Sequence, residues 1–538
     1  MASRVLAIAL DAADWQRIQE WAARGLLPNL KELAGRGSIV SLANHPIYRN
    51  ESPWVSLLTG CAPDQTGYWT PLRYHPRGYR VKSGAAYAFE PYRPFHALAA
   101  GRRVTMFDLP HCGRLFPGIA GAQVLGWGAH TPMSGGASRP AGLLAGLRRR
   151  FGAHPALRMQ NRGSWWDGGR LRRLHAALIE GVRRRGAILR ALRREHPADL
   201  SLLAFGELHI AGHHFWHLSD PAHPAYGRND PALPDFLLDV YQATDLELGR
   251  LLNGMAADEN LLVFSPEGGA ANWCDLNSMV FLPELLFRWD SPGRALYQDG
   301  AAVFSGGPPP QPRFKDWPEA VWHDHYADLP PPWLPRPLWK PFRKLAGMPG
   351  FHFPFYLLRR LGTLQWQPAA WYRPWWPSMR AFALPSYGDG YIRINLRGRE
   401  PQGVVGPAEV EPLCRELTER LLALRDPRSG RPLVREVVRA REASAGVAAG
   451  REPDADLVVL WEMQANDMAA DATCGRLGPA PFWKSGSHRP DGFVLGLGPD
   501  IPRRESAGQA HVIDLAPTVL DLLGCALPGH LRGRPLFH

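Results

Sequence analysis

Cysteine is scarce in this chain, six in 538 residues, and no two form a C-x-x-C pair. Neither a disulfide framework nor a structural zinc knuckle is therefore expected. Long apolar runs are also missing. No stretch approaches the roughly 18 apolar residues of a membrane span. The N-terminus passes from Met-Ala-Ser-Arg straight into Val5–Leu10. That run is too short for a signal-peptide core and has no small-residue cleavage site after it, so a cytoplasmic location is the expectation. Acidic residues are in deficit, 50 against 62 Lys and Arg, for a net charge of +12. Much of the excess lies in Arg148–Arg150 and Arg170–Arg194, where Leu171, Leu174, Leu178 and Val182 recur at helical spacing. That pattern predicts an amphipathic surface helix. It lacks the interleaved aromatics and the motif of a nucleic-acid binder, so no such partner is expected. Long-range attraction of a small anionic substrate is the simpler use of the charge.

What is present is globular: 45% hydrophobic and 21% charged residues. Val5–Leu10 reads as a buried parallel strand with Asp11 at its C-terminal tip, followed by an N-cap at Asp14 and a helix over Trp15–Arg24. The same grammar recurs at Leu200–Phe205, which leads to Glu207, and at Leu261–Phe264, which leads to Ser265-Pro266-Glu267. Leu457–Trp461 and Phe493–Leu497 are further strand candidates. Phe236–Leu252, Glu409–Leu424 and Ile513–Leu523 read as helices between them. This alternation predicts an α/β fold with a doubly wound, mostly parallel sheet flanked by helices, forming a single domain over 1–538. Residues 291–379 break the pattern with Pro308–Pro310, Pro330–Pro332 and Trp371–Trp376, and read as an irregular cap inserted into that domain. There is no internal repeat, and the oligomeric state is unreadable. Ligands of such sheets bind outside the carboxyl ends of the strands.

Several segments together carry a family resemblance. They begin with Leu10-Asp11, then Gly25-Leu26-Leu27-Pro28-Asn29-Leu30, then Ser52-Pro53-Trp54-Val55-Ser56-Leu57-Leu58-Thr59-Gly60. They continue with Gly212-His213-His214-Phe215-Trp216, Gly390-Tyr391-Ile392-Arg393-Ile394-Asn395-Leu396 and Gly398-Arg399-Glu400-Pro401. They end with Gly486-Ser487-His488-Arg489-Pro490-Asp491-Gly492 and Asp514-Leu515-Ala516-Pro517-Thr518. In order and spacing the chain resembles the type I phosphodiesterases and nucleotide pyrophosphatases of the alkaline-phosphatase superfamily. The resemblance implies a hydrolase of phosphoesters, phosphodiesters or related anionic esters. In that family two divalent cations at the strand tips activate a Thr or Ser nucleophile and stabilise charge on the phosphoryl oxygens.

Position by position, the carry-over is incomplete. Asp11 matches the first-strand Asp, His213 the His of a D-x-x-x-H pair, and His488 the C-terminal His. His209 stands where that pair has Asp, Pro266 and Glu267 replace an Asp-His pair, and Asn50 occupies the nucleophile position. Histidines at i and i+4 share one helix face, so His209, His213 and His488 are expected to form a three-histidine site. Neutral imidazoles favour zinc over magnesium or calcium, and copper or iron fits the same donors. Asp11 and Glu267 are further metal ligands, but two carboxylates replace the family's three, so one firmly held cation is favoured and a second is left open. His214 and His217 read as packing residues or as partners behind the ligands.

A carboxamide is a poor nucleophile, so Asn50 blocks the covalent route. Three outcomes stay open: attack by a metal-bound water with Glu207 or Glu267 as general base, a local shift that substitutes Ser52, or loss of hydrolysis. Lys484 and Arg489, close to His488, are candidate substrate-binding cations. The alternatives to hydrolysis are redox, lyase or transferase chemistry on the three-histidine centre, and a catalytically silent binding protein. Two plainer readings complete the set: Gly398–Pro401 as a structural turn with an ion pair, and Cys61 as a small buried apolar residue.

Overall fold

The computed structural model describes residues 3–82, 86–128, 136–157, 159, 165–229, 233–297, 321, 364, 366–444, 450–503 and 508–537. Its first strands are β1 (Arg4–Leu10), β2 (Ser38–Ala43), β3 (Arg73–His75), β4 (Arg80–Lys82), β5 (Arg103–Phe107), β6 (Ala120–Leu125), β7 (Ala137–Arg139), β8 (Leu200–Phe205) and β9 (Glu259–Ser265). There follow β10 (Gly268–Ala271), β11 (Ala381–Leu384), β12 (Gly390–Ile394), β13 (Val434–Arg439) and β14 (Leu457–Trp461). The last are β15 (Ala469–Asp471), β16 (Gly475–Leu477), β17 (Gly486–Arg489), β18 (Gly492–Leu497) and β19 (Gln509–His511). The helices before β10 are α1 (Trp15–Ala23), α2 (Pro28–Arg36), α3 (Pro53–Thr59), α4 (Pro63–Thr66), α5 (Phe95–Leu98), α6 (Leu143–Phe151), α7 (Gly168–Glu195), α8 (Glu207–Ser219) and α9 (Phe236–Leu252).

A nine-stranded sheet runs in the order β19-β2-β18-β9-β1-β8-β5-β6-β7. The five strands from β9 to β6 are parallel, while β18 and β7 pair antiparallel with their neighbours. β1 shows why both faces are covered. Leu6, Ile8 and Leu10 pack with Leu174, Leu178, Phe215 and Val240 of α7, α8 and α9. Val5, Ala7 and Ala9 point the other way, into a layer with Leu57 and Leu58 of α3 and Leu515 and Leu520 of the C-terminal helix. Side chains alternate across a strand, so an unbroken apolar run fills two cores at once. The expected cap at Asp14 is present, accepting from the Arg17 N–H at 2.8 Å.

Leu457–Trp461 is a strand, but it lies in a separate antiparallel sheet of order β11-β12-β14-β13. Its run is buried on both faces, and periodicity does not say which sheet a strand joins. Phe493–Leu497 does join the main sheet, antiparallel to β2 and β9. Most of the expected cap over 291–379 lies outside the described residues. At its C-terminal end Trp371, Tyr372 and Trp376 are buried against the second sheet's core. Among the described residues no helix is long and apolar enough to cross a membrane.

Candidate metal centre

Three adjacent parallel strands, β9, β1 and β8, bring Glu267, Asp11 and α8 to the same end of the sheet. Asp11 follows β1 directly, its backbone N–H donating to the Phe205 carbonyl at the end of β8 at 3.0 Å. β8 then turns into α8, which carries His209 and His213 one turn apart. Glu267 leads into β10, and β10 pairs antiparallel with β17 so that Gly269 faces His488. Two glycines allow the last step. A Cβ on Gly486 would sit 2.0 Å from the Gly212 carbonyl oxygen, and one on Gly269 would sit 2.9 Å from the Trp216 ring. Their bare backbones let the β10–β17 ribbon rest against α8.

The three imidazoles meet. Ring centroids are 4.6 Å apart for His209 and His213, 4.6 Å for His209 and His488, and 4.8 Å for His213 and His488. One nitrogen from each lies within 4.8 Å of the others. A second such group joins Asp11, His209 and Glu267, so His209 is common to both. His209 Nδ1 is 3.6 Å from Asp11 Oδ2, and His488 Nδ1 is 3.4 Å from Glu267 Oε1. His213 Nδ1 donates to the Gly486 carbonyl at 2.8 Å, which leaves the Nε2 lone pair for a cation. Burial, with the positive charges of Lys484 and His488 beside it, pushes His213 well below the ordinary histidine range. Its neutral, ligand-competent form is therefore favoured. Burial and the Asp11 charge push Glu267 well above the carboxylate range, and its Oε2 is buried without a hydrogen-bond partner. Neutral imidazoles beside an unsatisfied buried carboxylate fit a divalent cation. Asp11 is fixed from the far side by the Trp54 indole N–H at 3.0 Å, a contact that sequence alone did not reveal.

The other expected site residues divide. Asn50 lies beside the group, its amide nitrogen 3.4 Å from the His488 carbonyl, which the Trp273 indole also binds at 2.8 Å. Ser52 is buried and donates to the Tyr48 carbonyl at 3.3 Å. Lys484 is half-buried, its ammonium 4.7 Å from the centre of the Trp483 ring. Arg489 is drawn toward Asp14 at 3.6 Å and Asp491 at 3.7 Å. Glu207 is corrected as a general base. Both its oxygens bind Arg185 Nε, at 2.8 and 2.9 Å, and His154 adds a third contact at 2.9 Å. Burial alone would raise this carboxyl, but Arg185 and His154 bring it down to about 2, leaving it committed to its partners. His214 and His217 are buried in α8, as expected of packing residues. Cys61 is buried, and Glu400 binds Arg399 and Arg393 in the expected turn.

The site thus gathers carboxylates and histidines at the strand tips of a doubly wound sheet, the place where such sheets bind their ligands. A family model described as type I phosphodiesterase / nucleotide pyrophosphatase matches residues 5–329, more than half of the chain, and the chain belongs to that family. No curated protein matches it in sequence. Among solved structures it is similar to phosphonoacetate hydrolase from Sinorhizobium meliloti 1021 in complex with phosphonoformate, at 14% identity and TM-score 0.48, over 98% of this chain and 96% of that one. It is also similar to an inactive form of murine ectonucleotide pyrophosphatase/phosphodiesterase 5 in complex with AMP, at 11% identity and TM-score 0.47, again over 98% and 96%.

Proposed function

We propose that this phosphodiesterase- or phosphatase-like enzyme is a metal-dependent hydrolase of a small phosphoester, phosphodiester or related anionic ester, and that it works without a covalent intermediate. The observation that carries the reading is the approach of His209, His213 and His488 to one another beside Asp11 and Glu267. His209, His213 and His488 would hold one divalent cation, with zinc the best match to three neutral nitrogens, and Asp11 and Glu267 with His209 form a second group that leaves a further position open. When bound, the cation supplies Lewis-acid stabilisation of charge on the ester oxygens and acidifies water.

The chain's own residues do the rest. Asn50 offers a carboxamide at the family's nucleophile position, which donates a hydrogen bond to an anion but has no proton to lose near neutral pH. Glu267 would act as the general base: beside a bound cation it is a carboxylate, and Oε2, buried without a hydrogen-bond partner, would accept the proton of the attacking water and return it to the leaving oxygen. Lys484, half-buried near His213, is the cation best placed for the ester's negative charge.

The test combines elemental analysis with assays of the zinc-loaded protein on nitrophenyl phosphate mono- and diesters and a nitrophenyl sulfate. His209→Ala and His488→Ala are expected to lose zinc and at least about 100-fold in kcat/KM, a loss of the size expected when a ligand to a catalytic metal is removed. Activity that persists in either variant refutes the reading. Stoichiometric copper or iron with no ester hydrolysis moves it to redox chemistry on the same three histidines.

A further inference from the structure

Behind the α8 histidines lies a second buried group of charges that the hydrolytic reading does not use. Arg185, Asp108 and Glu207 have fully buried side chains, as does His154, and they come from four different segments. Arg185 Nη1 donates to Asp108 Oδ2 and to the Ala204 carbonyl, both at 2.9 Å, while Nε holds both oxygens of Glu207. Its guanidinium lies against Trp127 and Phe107, at 5.0 and 5.6 Å from their ring centres. His154 Nδ1 accepts from the Ala156 N–H, so the proton is on Nε2 and is donated to Glu207. Asp108 accepts two backbone N–H groups besides, from Trp127 and Gly128.

The contacts are made on one turn. Arg185 grips the Ala204 carbonyl at the end of β8 and the Glu207 carboxylate in the first turn of α8. Between them the Phe205 carbonyl accepts the N–H of Asp11. His209 follows two residues after Glu207, and His213 one turn later. The separation between Asp11 and the two α8 imidazoles is thus set by a turn pinned at three points, Ala204, Phe205 and Glu207. The rigid guanidinium directs Nε to Glu207 and Nη1 to the Ala204 carbonyl and Asp108 at fixed angles, which a lysine ammonium does not.

We propose that Arg185 is a positioning residue: by holding Glu207 and the Ala204 carbonyl together it fixes the β8–α8 turn and so the placement of His209 and His213 relative to Asp11. The consequence for cation binding rests on the reading of the three histidines as ligands; the placement itself does not.

The experiment compares Glu207→Gln, which keeps the shape, and Arg185→Lys, which keeps the charge, with Arg393→Lys in the Arg393–Glu400 pair at the second sheet, where the arginine side chain is 10% exposed and the glutamate fully buried. In the metal-free proteins, 15N-histidine labelling follows the ring resonances of His209 and His213. With cobalt(II), the visible absorption and a chelator competition report the ligand field and affinity. Removal of outer partners of ligating groups typically weakens metal binding 10–100-fold. The expected result is shifted His209 and His213 rings and about 10-fold or more weaker cobalt binding in E207Q and R185K. R393K should lower Tm but leave both readouts within twofold of the parent. Unmoved rings and parental cobalt affinity in E207Q and R185K overturn the proposal, as does an equal effect from R393K. If the parent binds no cobalt, the metal reading fails, and the ring resonances alone still decide the positioning role.

Discussion

At the scale of single residues, burial sends two carboxyls in opposite directions, depending on what meets them. Glu207 has Arg185 and falls to about 2. Glu51, adjacent to Asn50, is also buried but receives neutral donors, among them the Thr70 side chain, the Tyr387 N–H at 2.9 Å and the Tyr391 hydroxyl at 3.3 Å. Burial dominates there and raises it to about 7. The signs differ accordingly. Glu207 adds stability that is present above its unfolded pKa and lost as pH falls toward 2. Glu51 binds its proton more tightly folded than unfolded, so stability falls as pH rises from about 4.5 to about 7 and is level above that. Glu51→Gln removes this loss. Between pH 5 and pH 8 the variant should gain about 2–3 kcal/mol on the parent, since each tenfold change in proton concentration between the two pKa values is worth roughly 1.4 kcal/mol. Urea unfolding of both proteins at the two pH values measures it; parallel pH dependences would show that Glu51 is not protonated in the fold.

At the scale of elements, the centre depends on how closely one ribbon approaches one helix. The Gly486 carbonyl orients His213, and the same residue meets the Gly212 carbonyl where no side chain fits. Gly486→Ala would place a methyl 2.0 Å from backbone, and backbone has no flexible end to move aside. β17 and α8 must separate, moving His488 away from His209 and His213. Overpacking of this kind costs about 1–3 kcal/mol or more. The expected outcome is a protein that unfolds at lower urea and retains less than half the parental zinc on gel filtration; full zinc retention would mean the ribbon is not what seats His488. The histidines themselves were legible before any coordinates, because helical spacing puts His209 and His213 on one face and His488 stands in a recognisable motif. Glu207 was not. Two residues along a helix is roughly a 200° rotation, so closeness to His209 in sequence placed its carboxylate on the opposite side. Arg185 was hidden for a different reason: in a helix with this many arginines, nothing local separates the one that points inward.

At the scale of the molecule, the central strands were readable because their apolar runs feed both layers, and strands of that kind need little context. Leu457–Trp461 looked the same but belongs to the second sheet, since only long-range pairing assigns a buried strand to its neighbours. The arginine-rich stretch also looks different once folded. Arg184 pairs with Glu180, Arg193 with Glu259 and Arg150 with Glu195, each at 2.8 Å, and Arg190 with Glu247. The exposed pairs at Arg150 and Arg184 add little stability, while Glu247 and Glu259 are buried, and together the four pairs offset part of the local charge of α6 and α7. The net charge of the whole molecule is +12. A positive field attracts anions from a distance, and salt shortens its reach from about 30 Å at 0.01 M to about 8 Å at 0.15 M. For a dianionic nitrophenyl phosphate, kcat/KM should fall several-fold across that range while kcat holds. A singly charged methyl nitrophenyl phosphate should lose less, because its attraction to the same field is about half as strong. Equal losses for the two esters would mean that salt acts on the centre itself, through ligand exchange or local opening, and that the overall charge has no part in bringing substrate in.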